Sequence, residues 1–130
     1  MGLFELLSLK DMQYTENETL ITDEKVSKDT LSMLASARFG DMVKSVIDIE
    51  TGMIALGGEL HADQEAILLQ KGHNQESLSG FNIYIDEAFP ENIEFDSMIN
   101  IRPRQNNRSR TVEDPKIQDA ILSRLQKVLS

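Results

Sequence analysis

The stretch MVKSVIDIETGMIALGGEL, from Met42 to Leu60, constrains the fold more than any other. Two β-rich runs flank a short polar connector that ends in Gly52. A three-residue hairpin loop needs a left-handed residue, and glycine adopts that conformation without a Cβ penalty. The pattern predicts an antiparallel hairpin, which must bury its apolar residues against other elements.

The rest of the chain supplies those elements. Leu31, Leu34, Ala35 and Phe39 recur at helical spacing over 28–39, with Ser27 or Asp29 as cap and Gly40 as stop. Asp63 is placed to cap a second helix running to about Lys71, with Ile67, Leu68 and Leu69 inside and Gly72 as its stop. FNIYID and IEFDSMINIR read as two more strands. Phe81, Ile83 and Ile85 alternate with Asn82 and Tyr84, and Ile93, Phe95, Ile99 and Ile101 alternate with Glu94, Asp96, Asn100 and Arg102. Asp114-Pro115 opens a third helix with Ile117, Ile121, Leu125 and Val128 as its stripe. The order α-β-β-α-β-β-α predicts an α+β fold: a single antiparallel sheet of about four strands with helices packed on one face. Residues 28–130 form that domain. Residues 1–27 are expected to be a partly irregular N-terminal arm, with one short strand at Leu20–Ile21.

Composition narrows the setting. The chain has no cysteine, which excludes disulfides and thiolate metal sites. No apolar run reaches the roughly 20 residues of a membrane span. The start, MGLFELLSLKD, lacks the basic region and cleavage site of a signal peptide. The expected location is the cytoplasm, with no membrane partner.

Strand parity extended through Met53–His61 puts Ile54, Leu56 and Leu60 on one side and Gly57, Glu59 and His61 on the other. The non-core face then collects Glu59, His61, Asn82, Tyr84, Glu94, Asp96, Asn100 and Arg102. An ordinary solvated face is one reading. The histidine, tyrosine and asparagines favour a recognition surface. Glu59 and His61 are the candidates for any acid–base chemistry. Glu59-x-His61-x-Asp63 is an alternative metal set, since side chains two apart on a strand share a face. Asp63 serves equally well as a helix cap, so the expectation is no metal. His61 and His73 are the only histidines, and no serine sits in a nucleophile elbow. His73, in GHNQES, is expected to be solvated.

RPRQNNRSR, following Ile101, packs four arginines into nine residues without an acid. The chain's net charge is −9, and the loop's own +4 leaves −13 on the rest. That field repels nucleic acid and anionic membranes, and stacking aromatics are too few for a single-strand binder. Arginine rather than lysine suits bidentate contacts to carboxylate or phosphate. The competing reading is self-pairing with Glu94, Asp96, Glu113 and Asp114.

The motifs GGELHAD, INIRP and NRSR together resemble a small family of uncharacterised bacterial and archaeal proteins, over roughly residues 38–128. The resemblance centres on Gly58, Glu59, His61, Asp63, Asn82, Tyr84, Ser97, Asn100, Arg102, Pro103, Asn107 and Arg108. It implies a single-domain prokaryotic protein and no particular activity or cofactor.

Two functions from different classes follow. In the first, a small anionic ligand bearing phosphate or carboxylate binds at the polar face and arginine loop, through Arg102, Asn107, Arg108, Asn100, Tyr84 and Asn82. In the second, the same face is an interaction surface for an acidic protein partner or a homodimer covering Tyr84 and Met98, with no catalysis.

Overall fold

The computed structural model describes residues 13–14 and 19–129. MGLFELLSLKD and most of the expected arm lie outside the described residues. The elements are β1 (Gln13–Tyr14), β2 (Leu20–Thr22), α1 (Lys28–Ser36), β3 (Met42–Asp48), β4 (Ile54–Leu56), α2 (His61–Gln70), β5 (Leu78–Tyr84), β6 (Ile93–Glu94) and α3 (Pro115–Leu129). The strands form one six-stranded sheet in the order β1-β2-β4-β3-β5-β6, antiparallel throughout.

The predicted hairpin is β3–β4, with Val46 opposite Ala55 and Ile47 opposite Ile54. Gly52 has φ +85. A Cβ there would also lie 2.9 Å from Nη1 of Arg124, whose Nη2 donates to the carbonyls of Ile49 and Glu50. Glycine is therefore required by conformation, and a Cβ would also push aside the flexible end of the α3 side chain that clasps the turn. Asp48 accepts from the Glu50 and Thr51 amides at 2.8 and 3.3 Å, closing the turn from within.

The mixed α+β class and the single antiparallel sheet agree with expectation. The strand count and the layering do not. Helices were expected on one face, but they cover both. Val43, Ile47, Ile54, Leu56, Phe81 and Ile83 face α1 and α3 through Leu31, Leu34, Ile121 and Leu125. Ile21, Val46, Ala55 and Leu78 form a second core with Leu68 of α2, against which Ile67, Met53 and Ile99 pack. The physical reason lies in consecutive apolar residues. Val46-Ile47, Ile54-Ala55-Leu56 and Leu20-Ile21 are buried without alternation, as strands covered on both faces must be.

Leu20, Ile21 and Val26 are buried in these cores, so this part of the expected arm is packed into the sheet. The strand expected at Leu20–Ile21 is β2, paired with β4. Helix boundaries move slightly. Ser27 caps α1, accepting from the Thr30 amide at 3.1 Å, and Asp114 accepts from Lys116 at the start of α3. Helix α2 begins at His61, two residues before the expected Asp63 cap, and Leu60 stands at its N-cap with no side-chain bond.

Candidate functional site

The last expected strand, IEFDSMINIR, is mostly not a strand. β6 stops at Glu94, and residues 98–100 make a 3-10 turn. Asn100 is buried, whereas Ile99 is half-buried against the α2 core, away from Ile54 and Phe81. Phe95 still packs against the Ile54–Phe81 core, so parity holds through Asp96 and fails beyond it.

The free edge of β5 explains what replaces the strand. Tyr84 donates its amide to Asn92 O, and Asn82 lies opposite Glu94 in β6. At Gly80, the Asn100 side chain substitutes for a strand: its Oδ1 accepts from Gly80 N and its Nδ2 donates to Gly80 O, both at 2.9 Å. At Leu78, Nη1 of Arg102 donates to the carbonyl at 2.8 Å. Side chains of the INIR motif thus satisfy the sheet edge that backbone leaves open.

Arg102 also bridges to α2, with Nη2 3.1 Å from Glu65 Oε2 and both side chains about 15% exposed. Its Nε is buried without an acceptor. The loop that follows is tied internally. Arg102 and Asn107 form an isolated antiparallel bridge, with Asn106 left-handed at φ 61. The Asn107 amide donates to the carbonyls of Asn100, Ser109 and Thr111 and accepts from Glu113 N. Glu113 Oε2 accepts from the amides of Arg108 and Ser109 and from the Ser109 hydroxyl. Those donors, led by the hydroxyl, hold the Glu113 carboxyl below its usual range. Arg110 pairs with Asp96 at 2.6 Å. The guanidinium groups of Arg104 and Arg108 make no hydrogen bond or ion pair with the described residues.

A second cluster sits where α2 meets the middle of β5. Asn82 Nδ2 and the Tyr84 hydroxyl both donate to Glu94 Oε1, at 2.9 and 3.1 Å, and Asn82 Nδ2 reaches Asp96 O. Burial, then the hydrogen bond to Glu94 and nearby carboxylates, raise the Tyr84 phenol. His61 Nε2 is 2.9 Å from Phe81 O. A carbonyl only accepts, so Nε2 carries the hydrogen. Burial lowers the His61 pKa, opposed by Phe81 O and the Asn82 side chain and reinforced by Lys44. The ring is a buried neutral donor, the first residue of α2 fixed to the sheet.

The expected polar face is therefore assembled only in part. Asn82, Tyr84, Glu94 and Asp96 share it, and Asp96 links it to Arg110. Glu59 is exposed and 3.5 Å from Arg38, and Asp63 is exposed in the first turn of α2. Glu59, His61 and Asp63 do not converge: among the described residues, no three His, Asp or Glu side chains gather to hold a metal ion. The cause is the break at Gly57-Gly58, which ends β4 and turns the chain into α2 before parity can apply. His73, expected to be solvated, is mostly buried, with Nδ1 2.6 Å from Asp48 Oδ2. Sequence reading missed Glu65, Ser79 and Gly80, and named Glu113 only as an acid for the arginines, not for the loop amides.

A recess of about 420 Å³ opens between the loop and the start of α3, within the size range of small-molecule sites. Asn100, Arg102 and Asn107 line it. Asn82, Tyr84 and Arg108 do not. Residues 20–128 match a sequence family described as a protein of unknown function, DUF5674. The chain belongs to the DUF5674 family. Nearly the whole described fold of this DUF5674 protein lies inside the match, β2 and the arginine loop included. No curated protein and no solved structure matches the chain. No helix among the described residues is long and apolar enough to cross a membrane.

Proposed function

We propose that this DUF5674 protein is a binding module, not an enzyme, and that its loop over 102–113 captures an anionic group of a small ligand, a phosphate or a carboxylate. One observation carries the reading. In a chain of net charge −9, Arg102 and Arg110 are taken by Glu65 and Asp96, yet among the described residues Arg104 and Arg108 make no ion pair, Arg108 adding only the smallest of the pulls on the Glu113 carboxyl. The loop that presents them is braced by Asn107 and Glu113, so little ordering entropy opposes binding. Planar guanidinium groups on a fixed backbone suit bidentate capture of an oxyanion. Asn100, Asn107 and Arg102 act beneath them as the support. Asn82 contributes through the Asp96 carbonyl beside Arg110, and Tyr84 by fixing Glu94 with it. The buried His61 and the exposed, Arg38-paired Glu59 offer no acid–base pair for catalysis.

A protein partner is the second reading. Met98 is 66% exposed and Ile101 38%, on either side of buried Asn100. Apolar side chains beside unpaired arginines suit an acidic partner surface or a second copy of the chain. The test is an NMR titration with inorganic phosphate and with succinate, following arginine Nε–H signals. Saturable shifts at Arg104 and Arg108, weakened in Arg108→Ala, support the small-ligand reading. Silence of both arginines toward both anions defeats it and leaves the partner reading, checked by measuring mass in solution.

A further inference from the structure

The recess beneath the loop differs in charge from the loop's outer side. Glu76, Glu113 and Asp114 line it, and its one cationic wall residue, Arg102, is already paired with Glu65. Arg104, Arg108 and Arg110 are absent from its wall. Its remaining surface includes the apolar side chains Ile49, Val112 and Ile117.

Ser79 supplies a hydroxyl that a guest could use. The residue lines the recess and is 8% exposed overall, and its hydroxyl makes no hydrogen bond with any described residue. The Ser79 backbone lies in the β5–β3 ladder opposite Ile47, and its side chain shares the face of Phe81 toward α3. Its oxygen opens into the recess, where a guest can take the place of water on it.

From these we infer that the recess binds an aliphatic di- or polyamine, with ammonium groups on the carboxylates, the methylene chain along Val112 and Ile117, and the Ser79 hydroxyl accepting an N–H. A single metal ion fits less well. Among the described residues no three acidic or histidine side chains come close enough to share one, so the carboxylates suit spaced charges on one chain. An alkyl stem also uses the apolar wall, which a hydrated ion does not. The inference is independent of anion capture by Arg104 and Arg108, because neither side chain lines the recess.

Spermidine is the probe, titrated into the whole chain at low ionic strength and followed by the methyl signals of Ile117 and Val112. Saturable shifts of both methyls are expected. Glu76→Gln, at an exposed position, and Ser79→Ala should each weaken binding about tenfold, a difference of roughly 1.4 kcal/mol. Glu24→Gln, removing an exposed acid outside the recess wall, should leave the affinity unchanged, as should Arg108→Ala. Unmoved methyls would overturn the proposal. So would equal weakening by Glu24→Gln and Glu76→Gln, or magnesium chloride displacing spermidine at equal charge concentration. The thermal midpoint of each variant confirms that it is folded before its affinity is read.

Discussion

Asn100 and Gly80 exchange both hydrogen bonds of a β-pair, but Asn100 makes its two with the side chain, each 2.9 Å long. The same Nδ2 also donates to Arg110 O. A single amide thus continues the sheet past the end of β6 and ties the edge to the arginine loop. Asn100→Ala leaves a buried amide and a buried carbonyl of Gly80 without partners. The expected loss is about 2–5 kcal/mol of unfolding free energy, read by urea denaturation. Asn100→Asp retains the acceptor for Gly80 N but loses both donors, so it should be destabilised as well.

Gly80 lets the Ser97–Ile99 segment lie against β5 because it has no side chain. A Cβ there would lie 2.6 Å from Ser97 Oγ and 2.7 Å from Ser97 Cβ, and Ser97 is 1% exposed. Gly80→Ala should cost about 1–3 kcal/mol by overpacking. Ser97→Gly in the same chain should restore part of that loss, while Ser97→Gly alone should not stabilise. A double variant as unstable as the sum of the singles would show that the clash is not the cause.

The hairpin at 42–60, the three helices and the parity of β5 could be read from residues because each rests on local periodicity and turn chemistry. Asn82, Tyr84 and Glu94 share a face for that reason. The covering of that face by α2 was signalled only by apolar neighbours such as Val46 and Ile47, which read equally well as a strong strand. Asn100 and Arg102 were assigned to a strand because INIR alternates. Their side chains instead serve a strand about 20 residues earlier, a long-range substitution that no local pattern encodes. The arginine loop was legible in part: self-pairing with Asp96 was an open reading, and Arg110 takes it. That Arg102 answers to Glu65 on α2, and Glu113 to backbone amides, was hidden. Each pairing depends on where distant elements meet.

Arg102 and Arg108 should behave differently although they share one short loop. Arg102→Ala removes the partner of Glu65 and the donor to Leu78 O in a mostly buried setting, at a cost of about 2–4 kcal/mol. Arg108→Ala should change stability by less than about 1 kcal/mol, its guanidinium having no bound partner to abandon. Its loss belongs in phosphate or succinate affinity. Thermal denaturation and the NMR titration on the same two variants separate the roles. A large stability loss in Arg108→Ala would mean that this arginine is structural too.

Acid should weaken the fold in two separate windows. Burial lowers the His61 pKa below its ordinary 6.5. The unfolded chain then binds a proton before the folded one does, so the contribution is complete above about pH 6.5 and is lost as pH falls through the folded value. Asp48 has the same sign at lower pH. Burial alone would raise its carboxyl, but the His73 hydrogen bond and the amides of Glu50 and Thr51 outweigh that and bring it below 3.8. Its contribution is therefore complete above about pH 3.8 and is lost below. Urea midpoints should decline from roughly pH 7 to pH 5 in the natural chain, and His61→Gln should flatten that slope while leaving the decline below pH 4. Asp48→Asn should do the reverse, keeping the upper slope and reducing the lower one, of which Glu113, also held below its usual range, supplies the rest. An undiminished upper slope in His61→Gln would place the proton uptake elsewhere, and would remove the reason for calling this ring a buried neutral donor.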